Sequence, residues 1–147
     1  MFKQILVPTD GSPLSQAAVT RAVSFAKEAG ARITFLCVVQ AFPTMYYGTG
    51  AIMSADMPGQ FHKEVESVAH GILDAAEQLA RDAGVECDKL VLSSDAPYEA
   101  IIEAANRCAC DLIFMASHGR RGINALLIGS ETQKVLTHST IPVLVHR

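Results

Sequence analysis

Short apolar runs alternate along this chain with longer segments of helical periodicity. The runs are Ile5–Val7, Ile33–Val39, Val85–Leu92, Leu112–Met115 and Pro142–Val145. The third run contains Glu86, Asp88 and Lys89, which predict one exposed side or a position at the edge of the sheet. An uninterrupted apolar run is typical of a strand covered on both faces, and a strand–helix–strand unit with short links is parallel. Five such strands alternating with four helices predict an open parallel sheet with helices on both faces, an α/β fold.

The helices carry start and stop signals of known chemistry. These signals are Ser12, Pro13 and Gly30 for the first helix, Gly84 for the second, Pro97 for the third, and Ser130 with Gln133 for the last. The last pair is a capping-box pattern, with Ser130 as the predicted N-cap. The second helix is predicted from one apolar stripe, formed by Phe61, Val65, Val68, Ile72, Ala76, Leu79 and Ala83.

Length and charge narrow the class of protein. The chain of 147 residues fits a single domain, 1–147. A net charge of −3 argues against a general nucleic-acid binder, and no apolar window approaches a membrane span, so we expect neither partner. The four cysteines form no C-x-x-C pair and are interpreted as small core residues or helix ends, which together with the lack of a leader segment favours the cytoplasm.

Residues 40–60 show no clean period. A loop of this length in a small domain is more often functional or mobile than inert. The pattern leaves open a lid, a partner surface and a flexible insertion.

Two predicted strand ends carry small and polar residues. One is Pro8–Ser12, and the other is Ala116–Gly119, which continues to Gly129 and Ser130. Ligands of open α/β sheets bind beyond the carboxyl ends of the strands, and a helix that begins after glycine presents free N–H groups to an anion. The second segment therefore indicates a phosphate cradle, although an ordinary loop before a capped helix has the same local pattern. No G-x-x-x-x-G-K-[ST] or G-x-G-x-x-G motif is present, which excludes a P-loop and a dinucleotide fingerprint.

The order of these pieces resembles the universal stress protein family over the whole chain. The matching pieces are the opening ILVPTDGS at 5–12, the run MASHG at 115–119, nine residues, Gly129-Ser130, and IPVLV at 141–145. ATP-binding members of that family carry G-x2-G-x9-G-[ST], and Ala116 stands here in place of the first glycine. The resemblance implies a sheet in the order 3-2-1-4-5.

The resemblance also implies a site for ATP or AMP. Asp10 is expected near the ribose and a Mg²⁺ brought by the nucleotide, and the adenine is expected against Pro8, Thr9, Val38 and Met115. The remaining predicted nucleotide-binding residues, beside the ribose and around the phosphates, are Ala116, Ser117, His118, Gly119, Gly129, Ser130 and Glu131. Taken singly, Asp10 is equally an Asp-Gly turn residue, and the neighbours Ser117 and His118 do not make a triad.

These expectations amount to a cytoplasmic, adenine-nucleotide-binding regulator of a stress response. The chain shows no dedicated base or nucleophile, so slow ATP hydrolysis is the most we expect. The alternatives are a dimeric interaction module that binds no nucleotide and an adenylyl transferase, whose phosphate-activating motifs are absent. The apolar last strand, with an uncovered edge, and the resemblance both predict a homodimer through Ile141–Val145.

Overall fold

The computed structural model describes residues 1–40, 57–119 and 128–147. Its elements, in chain order, are β1 (Gln4–Pro8), α1 (Pro13–Ala29), β2 (Arg32–Val39), α2 (Met57–Ala83), β3 (Cys87–Ser93), α3 (Pro97–Arg107), β4 (Leu112–Ala116), α4 (Ser130–His138) and β5 (Val143–His146). The strands form one sheet in the order β3-β2-β1-β4-β5, and all four pairings are parallel. The predicted fold class and strand order are confirmed.

Side chains of the central strands alternate between two cores. Ile5 and Val7 of β1 face the layer of α1 and α2, and Leu6 faces the layer of α3 and α4. All three are fully buried, which explains why β1 reads as an unbroken apolar run.

The predicted ends of α1 are confirmed. The Ser12 hydroxyl accepts a hydrogen bond from the Ser15 N–H (3.3 Å), Pro13 occupies the first helical position, and Gly30 follows the helix in the left-handed conformation at φ 63°. A short loop, residues 9–12, thus joins the end of β1 to the start of α1.

The predicted apolar stripe of α2 is confirmed only in part. Phe61, Val68 and Leu79 are 38%, 56% and 43% exposed. The other four members, Val65, Ile72, Ala76 and Ala83, lie against the core. The fully buried residues of α2 are Ala69, Leu73, Ala76 and Ala80, so the contact face is centred to one side of the predicted stripe. The helix also begins at Met57, inside the predicted loop 40–60; the rest of that loop, 41–56, lies outside the described residues.

Two strand boundaries also differ from the prediction. Val85 precedes β3 because its N–H donates to the Ala80 carbonyl (2.8 Å) and so belongs to the turn that ends α2. β5 begins after Pro142, which has no N–H for a ladder. The edge position predicted for β3 is confirmed.

None of the four cysteines, all of which lie in the described residues, forms a disulfide. Cys108 and Cys110 lie between the end of α3 and the start of β4, as expected. None of the helices in the described ranges is long and apolar enough to cross a membrane.

Candidate functional site

The carboxyl ends of β1 and β4 lie side by side in the middle of the sheet. β1 pairs with β2 on one side and with β4 on the other, so the strand order reverses between β1 and β4. This topological switch point is where open α/β sheets bind ligands. Both glycine- and serine-containing loops named above leave the sheet at this point.

A network of hydroxyl and carboxylate groups holds the loop after β1. The buried hydroxyls of Thr9 and Ser15 lie 2.6 Å apart, and the Ser15 hydroxyl also accepts the Asp10 N–H (3.2 Å). Asp10 Oδ1 in turn accepts the Ser12 N–H (2.9 Å). Asp10 is thus a turn residue, as its sequence context allowed, and the same bond fixes the direction of its carboxylate.

Asp10 and Gly119 meet across the switch point. A Cβ placed on Gly119 would lie 2.6 Å from Asp10 Oδ2, closer than any ordinary contact. The second carboxylate oxygen therefore lies directly over the Gly119 backbone. Glycine is needed here for close approach and not for a left-handed φ.

The start of α4 is tied to the end of β4 by two hydrogen bonds. The Gly129 N–H donates to the Ser117 carbonyl (2.7 Å), and the buried Thr132 hydroxyl donates to the Ala116 carbonyl (3.1 Å). A Cβ on Gly129 would lie 3.0 Å from the Ser117 carbonyl oxygen, so this glycine also serves close approach. The Gly129 amide is therefore used within the fold.

The predicted capping box at α4 is wrong. Gly129 is the N-cap and Ser130 is the first helical residue, with no side chain capping the helix. The Gln133 carboxamide donates instead to the Ile128 carbonyl (2.9 Å). Gly129 takes the cap position because its backbone must lie against Ser117. The first amides of α4 are consequently left without a side-chain cap, and its Ser130 hydroxyl is exposed at the surface.

Ala116, which replaces the first glycine of the family motif, fits its place without strain. Among the described residues only Ala109 combines a side chain with a positive φ, so Ala116 keeps an ordinary strand conformation. Its methyl group is buried in the core that α1 and α2 cover. The substitution therefore does not disturb the backbone of the switch point.

The residues predicted to hold an adenine lie around the same strand ends. Met115 is buried in the core under α3 and α4, and Val38 packs against that core. The Thr9 N–H donates to the Leu36 carbonyl (2.8 Å), which joins the ends of β1 and β2, and Pro8 is half-buried beside them. The structure thus brings Pro8, Thr9, Val38 and Met115 to one edge of the sheet.

Ser117 and His118 form a local pair. The Ser117 Oγ lies 3.0 Å from His118 Nδ1, and Ser117 is buried whereas the imidazole is half-exposed. The contact fixes the orientation of the His118 ring relative to Ser117. It joins sequence neighbours and does not form the geometry of a serine-hydrolase triad.

The side chain of Glu131 makes two contacts of its own. One carboxylate oxygen accepts the Tyr98 N–H (2.9 Å), and the other accepts the Lys134 ammonium (3.1 Å). Tyr98, Ser15 and Thr132 support the site and were missed from the sequence. The contacts of Tyr98 and Thr132 join segments that are distant along the chain, so no local pattern announces them. Ser15 contacts only nearby residues, and its hydroxyl on the otherwise apolar buried face of α1 was the available signal.

A magnesium ion at this site would depend on a nucleotide. Over the described parts of the chain, no group of three or more His, Cys, Asp or Glu side chains could hold a metal ion. Mg²⁺ in nucleotide sites takes one or two carboxylates together with phosphate oxygens. The single carboxylate of Asp10 fits that arrangement.

A shallow cavity of about 400 Å³ lies at the opposite, amino edge of the sheet, where Arg32 and Lys89 line it. Both cations are already paired there: Arg32 contacts Glu86 and Asp88, and Lys89 contacts Asp74 and Glu77. The cavity lies far from the predicted residues, and its cations are neutralised. The position of this cavity and the pairing of its cations both argue against it. The candidate site is therefore at the carboxyl ends of β1 and β4, which are called the β1–β4 edge below.

The chain is an open parallel α/β protein, and its switch point carries Gly119 and Gly129 close to the start of α4. The model of the universal stress protein family matches residues 1–147. The chain belongs to the universal stress protein family. It is 32% identical to the universal stress protein MJ0531 of Methanocaldococcus jannaschii, over 99% of this chain and 82% of the relative, and 32% identical to YxiE of Bacillus subtilis over the full length of both.

Solved structures agree with this assignment. UspA from Lactobacillus plantarum has a TM-score of 0.77 and 26% identity, covering 99% of this chain and 97% of its own. A universal stress protein in complex with cAMP has a TM-score of 0.72 and 25% identity, covering 99% and 97%. A universal stress protein from Archaeoglobus fulgidus in complex with dAMP shares the fold, with a TM-score of 0.65 and 18% identity, covering 99% and 98%.

Proposed function

We propose that this chain binds ATP or AMP at the β1–β4 edge and acts as a cytoplasmic, nucleotide-dependent regulator in a stress response. The observation that carries the proposal is the contact of Asp10 with Gly119 beside the uncapped start of α4. It places a carboxylate and a set of free amides at the topological switch point. The family relative in complex with cAMP supports an adenine nucleotide as the ligand.

The proposed roles follow from the chemistry of each position. The first amides of α4 and the Ser130 hydroxyl donate to phosphate oxygens, since a helix start carries a partial positive charge. Asp10 accepts from the ribose hydroxyls and shares a Mg²⁺ with the phosphates. The adenine lies against Val38 and Met115, with Thr9 at the base edge. Gly119 and Gly129 allow the two loops to approach each other.

The proposed output is a change of conformation or assembly and not rapid turnover. Within the described part of the site, the hydroxyl that lies beside an imidazole is that of Ser117, and its contact with His118 lacks the geometry of a triad. Hydrolysis of bound ATP is therefore proposed to be slow at most. The nucleotide thus acts as a ligand that shifts a population.

We also propose a homodimer through β5. Within the described sheet β5 pairs with β4 alone, and its side chains are half-buried in the single chain. The carbonyls of Pro142 and His146 accept hydrogen bonds from β4, so the alternate residues Val143 and Val145 direct their N–H groups away from the sheet. That free edge can pair with a second copy.

The dimer is tested by sedimentation velocity at micromolar concentration. Val145→Pro removes an outward N–H and leaves the bonds to β4, so it is expected to shift the protein to monomer while the circular dichroism spectrum is retained. A wild-type protein that sediments as a monomer contradicts the dimer.

Nucleotide binding is tested by titration calorimetry with ATP and AMP, with and without Mg²⁺. Ser130→Glu places a negative charge at the start of α4 and is expected to weaken ATP binding at least tenfold, or about 1.4 kcal/mol. Ser67→Glu adds the same charge on an exposed face of α2 and is the matched control. A wild-type protein that takes up no nucleotide at millimolar ATP is instead an interaction module of the same fold.

A further inference from the structure

The carboxylate of Glu131 connects the first turn of α4 to the first turn of α3. Its Oε2 accepts the N–H of Tyr98, the second residue of α3, at 2.9 Å. This contact joins two helices that pack on the same face of the sheet. Glu131 itself belongs to the first turn of α4, the turn proposed to bind phosphate.

α3 has no side-chain cap of its own. Its N-cap is Ala96, which makes no capping hydrogen bond, and Pro97 at the first helical position has no N–H to satisfy. The Tyr98 amide is therefore an orphan donor of the helix start, and a carboxylate is a strong acceptor for such an amide. Glu131 supplies from α4 the cap that α3 lacks.

The second oxygen of Glu131 is held by a cation. Oε1 accepts the ammonium of Lys134 at 3.1 Å, and that ammonium lies 5.4 Å from the centre of the Tyr98 ring. The Tyr98 ring also lies 5.5 Å from the ring of His138, on the next turns of α4. The carboxylate is thus engaged at both oxygens, and its charge is directed toward α3.

This arrangement bears on the phosphate site. Glu131 is the second residue of α4, so its own amide is one of the free N–H groups of the helix start. An unrestrained carboxylate at that position would repel a bound phosphate. We infer that Glu131 is a positioning residue, which seats the first turn of α4 on α3 and keeps its negative charge off the phosphates; this rests on the nucleotide binding proposed above.

The inference makes α3 part of the nucleotide response. A phosphate that orders the first turn of α4 also orders the Tyr98 amide, and by linkage the cap on α3 favours phosphate binding. Adenosine, which lacks phosphates, is expected to be indifferent to the cap.

The experiment compares Glu131→Ala and Glu131→Gln with the wild-type protein. ATP and adenosine affinities are measured by titration calorimetry, and protection of the Tyr98 amide by hydrogen exchange. Glu131→Ala is expected to lose that protection and to bind ATP about tenfold more weakly, with adenosine affinity within about twofold. Glu131→Gln keeps an acceptor oxygen for the amide, so it is expected to retain both the protection and ATP affinity within about twofold.

Glu99→Ala is the matched control. Glu99 is the acidic residue in the first turn of α3, where its carboxylate accepts a hydrogen bond from the Tyr98 hydroxyl (2.9 Å). Its removal is expected to leave ATP affinity unchanged. If Glu131→Ala binds ATP as tightly as the wild type, or more tightly as loss of a repelling charge would dictate, the positioning role is overturned while nucleotide binding stands. If the wild-type protein itself binds no ATP, the proposed function fails and the inference falls with it.

Discussion

Gly119→Ala is expected to destabilise the fold through a single contact. The new Cβ would lie 2.6 Å from Asp10 Oδ2, which is about 0.8 Å short of an ordinary contact of 3.4 Å. The carboxylate cannot simply rotate away, because its Oδ1 accepts the Ser12 N–H at the start of α1. Overpacking of this kind costs about 1–3 kcal/mol, and the exposure of Gly119 places the cost near the lower half of that range, about 1–2 kcal/mol.

Urea unfolding of a double-mutant cycle measures this contact directly. Asp10→Ala removes the carboxylate, so Gly119→Ala is expected to cost almost nothing in that background. Asp10→Asn keeps the shape of the side chain, so the cost is expected to persist. Gly71→Ala is the control for the glycine substitution itself: nothing lies within 4 Å of its added methyl on the exposed side of α2, and it is expected to stabilise by up to about 1 kcal/mol.

An equal cost of Gly119→Ala with and without the Asp10 carboxylate would refute the reasoning. The Asp10–Gly119 contact would then contribute nothing to the geometry of the switch point. The proposed site would lose the observation that carries it.

Three further outcomes are expected. The Lys89 ammonium, through its hydrogen bonds, holds the pKa of Asp74 and of Glu77 below their usual values, which stabilises the fold above about pH 4.5 and is lost as pH falls through the lowered values. Lys89→Met should therefore cost less stability in urea unfolding at pH 3 than at pH 7, and an equal cost at both pH values would contradict it. Burial raises the pKa of Cys110 to about 12, so iodoacetamide at pH 8 should leave this thiol unlabelled by mass mapping until the protein is unfolded. Thr132→Val should cost about 1 kcal/mol in thermal unfolding, because the buried Ala116 carbonyl loses the hydroxyl that donates to it. An unchanged Tm would show that this hydrogen bond does not stabilise the fold.

Local chemistry was sufficient to predict the strands and the first helix. Short apolar runs between helical segments indicated strands, and Ser12, Pro13 and Gly30 mark the ends of α1 because capping acts within a few residues. Gly119 and Gly129 were also located from the sequence, because the spacing of a short motif is visible there directly.

Helix orientation and helix caps were not predictable in this way. The apolar stripe on α2 was visible, but the buried face is centred on Ala69, Leu73 and Ala80, which lie to one side of it, because packing against the sheet and α1 sets the rotation of the helix. The cap of α4 depended on Gly129 lying against Ser117, and the cap of α3 came from Glu131 on another helix. The buried face of α2 and the caps of α3 and α4 are therefore set only when the helices pack on the sheet.

The amino-acid order alone therefore set which segments became strands and helices, and it placed the small and polar residues at two strand ends. That Asp10 lies over Gly119, and that α4 begins beside both, depends on β1 and β4 pairing across a long stretch of chain. The physical reason is one of range. Propensity and capping act over one helical turn, whereas a contact between distant segments exists only after apolar burial has brought their strands together.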